Sequence, residues 1–167
     1  MKDTLKTKTA KRTALATTPL LPLRIKSILV PLDFSAPSMK ALDYAVAVAK
    51  QFRAKLTLLH VVEPIATADF AASVPLVMED DKVMAAAKRE LQTAVKSARI
   101  PHRMLEMVLV RFGRSFHEIA EAARTRKVDL IVISTHGYTG LKHALLGSTT
   151  ERVVRHAHCP VLVVRQR

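Results

Sequence analysis

Residues 128–164 read VDLIVISTHGYTGLKHALLGSTTERVVRHAHCPVLVV, and the order of their apolar and polar runs decides the fold. The run 128–133 is short, branched and almost wholly apolar, the pattern of a strand buried on both faces. A loop holding Gly137, Gly140 and Gly147 follows, and these are three of the chain's four glycines. Residues 148–157 then read as a short helix, and Val161-Leu162-Val163-Val164 as a last strand. Strand, helix and strand in that order belong to a parallel sheet.

The same alternation extends upstream. Residues 28–30 with Leu32 form a buried strand, and Ser35 and Pro37 open a helix whose Leu42, Ala45, Val46 and Ala49 share one face. A second strand at 56–62 ends at Pro64. The stretch 63–78 has no period and contains Pro64 and Pro75, so it reads as a long surface loop. A charged helix follows, striped by Met84, Ala87, Leu91, Ala94, Val95 and Ala98 and ended by Pro101. A third strand spans 104–110. Ser115 and Glu118 then have capping-box spacing ahead of a helix lined by Phe116, Ile119, Ala120 and Ala123. Five strands alternating with four helices give an α/β fold: a doubly wound, five-stranded parallel sheet of order 3-2-1-4-5 with helices on both faces.

At 167 residues the chain suits one domain, and 49% hydrophobic with 25% charged residues excludes intrinsic disorder. No apolar stretch reaches the roughly 18–20 residues that cross a bilayer. The single cysteine, Cys159, makes no internal disulfide, which fits a reducing, cytoplasmic setting. Net charge is +13, from 27 Lys and Arg against 14 Asp and Glu. Residues 1–24 concentrate part of it, with Lys2, Lys6, Lys8, Lys11, Arg12 and Arg24 against Asp3 alone. That segment also holds Pro19 and Pro22, and it is expected to be a flexible basic arm before a domain at 25–167. It lacks the continuous apolar run of a secretory signal. Aromatics are 4% with no Trp, so stacking platforms are scarce and specific nucleic-acid recognition is not expected.

A sequence so sparing with glycine is expected to place it where φ is positive or where something approaches the backbone closely. Gly147 precedes Ser148-Thr149-Thr150-Glu151, a second capping-box pattern. Unpaired amides in a helix's first turn favour a phosphate, and the hydroxyls of Ser148, Thr149 and Thr150 add donors. Asp33 ends the first strand. In the 3-2-1-4-5 order it faces the glycine loop across the crevice between strands one and four. A carboxylate there suits a metal or a nucleoside hydroxyl better than a phosphate, which it repels. The plainer readings are a well-capped helix, and an Asp stabilised by a neighbouring helix dipole. The sequence has no G-x4-GK[ST], G-x-S-x-G or G-x-G-x-x-G motif. Cys159, just before Pro160 and an apolar strand, is expected to be buried, and His60 to be a hydrogen-bonded structural histidine.

Ser134-Thr135-His136-Gly137, nine residues, then Gly147-Ser148, with Glu151-Arg152-Val153 and residues 159–164 behind, resembles the universal stress protein family from about Ile25 to Arg165. Its nucleotide-binding members carry G-x2-G-x9-G-[ST]. Gly137, Gly147 and Ser148 match, Ser134 replaces the first glycine, and Gly140 is additional. The resemblance implies that Pro31 and Asp33 border base and ribose and that Val61 lies against adenine. It implies further that Gly137, Gly147, Ser148 and Thr149 cradle phosphates, with His136 and Thr150 nearby. Ser134 is compatible with this if its dihedrals are those of an ordinary strand. The implied ligand is ATP or a related AMP or ADP, with Mg²⁺ as an optional companion, and no catalytic residue or metal ligand can be named. Slow ATP hydrolysis is the most activity expected. An apolar last strand invites pairing, and the resemblance implies a homodimer through Val161–Val164. The alternatives are a signalling or scaffold module of this fold that binds no nucleotide, and a basic nucleic-acid-associated protein using the arm.

Overall fold

Strand β1 (Ser27–Pro31) sits at the centre of the sheet, where residues 28–31 are all buried. This computed structural model describes residues 23–63, 77–135 and 146–165. The other elements follow in order as α1 (Ala36–Phe52), β2 (Lys55–Val62), α2 (Val77–Ser97), β3 (Leu105–Phe112), α3 (Ser115–Thr125), β4 (Leu130–Ser134), α4 (Ser148–His156) and β5 (Val161–Val164). The strands lie in the order β3-β2-β1-β4-β5 and every pairing is parallel, as the alternation of elements predicts.

Side-chain alternation along the strands divides the core in two. Ile28, Val30, Leu56 and Leu58 pack with Leu42 and Ala45 of α1 and Leu91 and Ala94 of α2. Leu29, Leu59, Ile131 and Ile133 face the other way, onto Ile119 and Ala123 of α3 and Val153 of α4. Each such side chain contributes about 1.5–3 kcal/mol on burial, which is why continuous apolar runs settle as central strands. Among the described residues no helix is long and apolar enough to cross a membrane.

Ser35 caps α1, its Oγ accepting from the Ser38 amide at 3.4 Å, and Pro37 lies in the first turn. Both expected capping boxes are corrected. At α3 the cap residue is Arg114, so Ser115 is already helical, and Glu118 pairs instead with Arg111 and His117 at 3.2 Å each. At α4 the cap residue is Gly147, which has no side chain to accept, and Glu151 pairs with Arg155 at 2.8 Å. The expected loop at 63–78 is also too long at its end, because α2 begins at Val77. The basic arm, except for Leu23 and Arg24, lies outside the described residues, as do residues 64–76 of that loop. Cys159 is half-buried rather than buried. Burial, and then the nearby Asp129 carboxylate, push its thiol above the ordinary 9.0, so it is a poor nucleophile at neutral pH.

Candidate functional site

In a parallel sheet with helices on both faces, the carboxyl ends of the strands and the amino ends of the following helices meet along one rim. Here the ends of β1, β2 and β4 and the starts of α1, α3 and α4 enclose a cavity of about 300 Å³. Pro31, Asp33, Val61, Ser134, Gly147, Ser148, Thr149 and Thr150 all line it. These eight come from four separate stretches of chain. His136 and Gly137, the remaining two candidates, lie outside the described residues. A wider hollow of about 500 Å³ opens at the opposite rim, near Ser27, Lys55 and Thr57, where strands begin and no helix presents its amino end.

Gly147 turns the chain into α4 with φ −68 and ψ 150, angles open to any residue. Among the described residues the glycine with positive φ is Gly113, at φ +143, while Gly137 and Gly140 lie outside them. The Gly147 amide donates to the Thr135 carbonyl at 2.7 Å, tying the start of α4 to the end of β4. The first helical hydrogen bond of α4 runs from the Glu151 amide to the Gly147 carbonyl. Among the described residues, the amides of Ser148 and Thr149 have no backbone acceptor, so they give that rim its partial positive charge.

Ser134 is buried, pairs with Val164 as an ordinary strand residue, and is not among the residues of positive φ. A serine therefore meets the backbone requirement at this position. Its carbonyl accepts from the Thr150 hydroxyl at 2.8 Å, so the Thr150 proton is committed to bracing α4 against β4. Thr150→Val keeps the shape and removes that hydrogen bond. It is expected to cost about 1–3 kcal/mol in urea unfolding, and an unchanged midpoint would contradict this role.

Asp33 reaches the cavity from the turn after β1, its Oδ1 accepting from the Ser35 amide at 3.1 Å and the Ser35 hydroxyl at 2.5 Å. His60, expected to be a satisfied structural histidine, is one: its Nδ1 lies 2.7 Å from the Leu32 carbonyl. The pattern reading missed Leu32, Ser38, Leu59, Glu63, Ser115, Ile119 and Ile133, which also line the cavity. Glu63, just past the end of β2, accepts from the Ser115 amide at 2.7 Å and so does at α3 what a local cap does elsewhere. The Ser115 hydroxyl and amide, opposed by partial burial and helped by Arg114, hold the Glu63 carboxyl below the ordinary 4.5. A lowered carboxylate stabilises the fold above its unfolded value, and that contribution fades as pH falls through its folded value. The Ser115 amide resonance is accordingly expected to titrate at a pH below 4.5. A midpoint at or above that value would contradict the bond. Among the described residues no group of three His, Cys, Asp or Glu is placed to hold a metal ion.

Residues 24–165 match the model of the universal stress protein family. The chain belongs to the universal stress protein family. Universal stress protein MJ0531 of Methanocaldococcus jannaschii is 38% identical over 152 residues, covering 84% of this chain and 82% of that protein. Among solved structures, the universal stress protein UspA from Lactobacillus plantarum has a TM-score of 0.70 at 31% identity, covering 85% of this chain and 99% of its own. A universal stress protein solved in complex with cAMP has a TM-score of 0.61 at 25% identity, covering 86% and 99%. In this universal stress protein the described part of the family's glycine pattern, Ser134, Gly147 and Ser148, thus lies at the switch point of the sheet.

Proposed function

We propose that this universal stress protein holds ATP, or the related AMP or ADP, in the cavity between β1 and β4. The observation that carries the reading is the convergence of eight candidate residues on one cavity at the amino end of α4, where the Ser148 and Thr149 amides have no backbone acceptor among the described residues. Pro31 and Asp33 would border base and ribose, and Val61 the adenine face. Gly147, Ser148 and Thr149 would meet phosphate, with Ser134 at the floor and Thr150 holding the helix in place. His136 and Gly137 belong to the same reading by their place in the motif. The solved relative with cAMP supports an adenine ligand for this fold. No Lys, Arg or His is among the described residues lining the cavity, which favours holding a nucleotide over turning it over. Mg²⁺ would accompany the phosphates, bound chiefly by them.

Protein purified without added ligand and then denatured is expected to release adenine nucleotide, or else to bind ATP·Mg²⁺ saturably in calorimetry. If millimolar ATP·Mg²⁺ gives neither heat nor thermal shift, the nucleotide reading falls and a scaffold role replaces it. A homodimer along β5 is part of the same proposal. That strand ends the sheet, and its Leu162 is 37% exposed. A monomer mass at micromolar concentration would remove that part. A cytoplasmic location completes the reading and is checked by fractionation.

A further inference from the structure

The turn from β1 into α1 carries strain at a single residue. Phe34 has φ +64, a left-handed conformation that a bulky side chain adopts only where its surroundings enforce it. One residue of the neighbouring strand holds this turn at two points. The His60 ring stacks on Phe34 with centroids 4.6 Å apart and planes at 28°. Its Nδ1, 2.7 Å from the Leu32 carbonyl, donates to it. The Leu32 amide in turn donates to the Leu59 carbonyl at 2.8 Å. Both backbone groups of Leu32 are therefore tied to consecutive residues of β2, and Phe34 is pressed between His60 and the core under α1. Asp33 lies between these two clasped residues, with its carboxylate folded onto Ser35 and lining the cavity.

We infer that His60 is a positioning residue for this cavity: by clasping Leu32 and Phe34 it holds the strained turn that presents the Asp33 carboxylate to the ribose hydroxyls of a bound nucleotide. The ribose half rests on the proposed nucleotide reading, whereas the clasp does not. Without the ring and its hydrogen bond, Phe34 relaxes toward negative φ. That rotation moves the Asp33 backbone and breaks the turn its carboxylate makes with Ser35. His60 touches no ligand in this account and acts only through Asp33.

The test uses the full chain as wild type, His60→Ala and His60→Phe, with two readouts. The first needs no ligand. Hydrogen exchange at the Ser35 amide, held by Asp33 in the wild type, is expected to quicken at least about tenfold in His60→Ala while Leu29 and Leu58 in the sheet keep their protection. The second compares ATP with 2′,3′-dideoxyadenosine triphosphate. Hydrogen bonds from the sugar to a carboxylate are expected to favour ATP by about tenfold in the wild type. In His60→Ala that preference shrinks to within about twofold while the dideoxy compound binds as before. His60→Phe fills the same space and keeps a ring on Phe34 but cannot donate to Leu32. It is expected to shift both readouts in the same direction, and it carries the comparison if the alanine variant does not fold. Unchanged Ser35 exchange, exchange that quickens equally at Leu58, or a wild-type sugar preference in the variants would each overturn the inference. If the wild type binds neither nucleotide, the exchange arm still decides the clasp and the nucleotide reading falls by itself.

Discussion

Gly147→Leu is expected to abolish the thermal stabilisation that ATP confers while unfolding, without ligand, close to the wild-type temperature. Gly147 has φ −68 and ψ 150, so leucine takes its place with no backbone strain. The amide hydrogen bond to Thr135 is also kept. What changes is space: an isobutyl group is added at a position lining a cavity of only about 300 Å³. For the wild type at ATP concentrations near 100 times Kd, ligand binding adds about 2.7 kcal/mol, or about 5–10 °C in Tm for a domain of this size. Differential scanning fluorimetry with and without ATP·Mg²⁺ makes the comparison. A variant that keeps the wild-type upshift would mean the nucleotide does not sit against α4.

Leu58→Ala is expected to have the largest effect on stability without touching the site. Leu58 is fully buried on the face of β2 that packs under α1 and α2. Its neighbour Leu59 points to the opposite face and lines the cavity, so truncating Leu59 would mix stability with binding. Deleting the Leu58 side chain leaves a void that close-packed neighbours fill only in part, at a cost of about 2–5 kcal/mol. That lowers Tm by about 6–15 °C. Val83→Ala, at 43% exposure on α2, serves as the control and should cost under about 1 kcal/mol. Equal urea midpoints for the two variants would contradict the burial argument.

The sheet was legible because strands buried on both faces need apolar runs, which stand out at 28–30, 128–133 and 161–164 against helical periods between them, although β4 itself begins two residues later, at Leu130. The cavity was legible where strand ends and helix starts could be counted, which covers Asp33 and Gly147 to Thr150, whereas Pro31, Val61 and Ser134 were reached only through the resemblance to the family's motif. It was not legible where the partner is distant. Ser115 and Glu118 have the spacing of a cap, yet Glu63, 52 residues earlier, takes the Ser115 amide. No local pattern encodes that exchange. The frame of α4 begins one residue before its apparent cap because Gly147 already has the extended angles of a cap residue. Phe34 hides for a similar reason, since an aromatic in a left-handed turn follows from the tertiary clasp and contradicts local preference.

The pairing of Ile28 with Leu130 joins the two halves of the sheet across about a hundred residues of chain. During synthesis at about 5–20 residues per second, β4 leaves the ribosome roughly 5–20 s after β1. For that interval the growing polypeptide carries a bare, sticky edge at its centre, and a chaperone that shields β1 until β4 has left the ribosome should raise the yield of native protein.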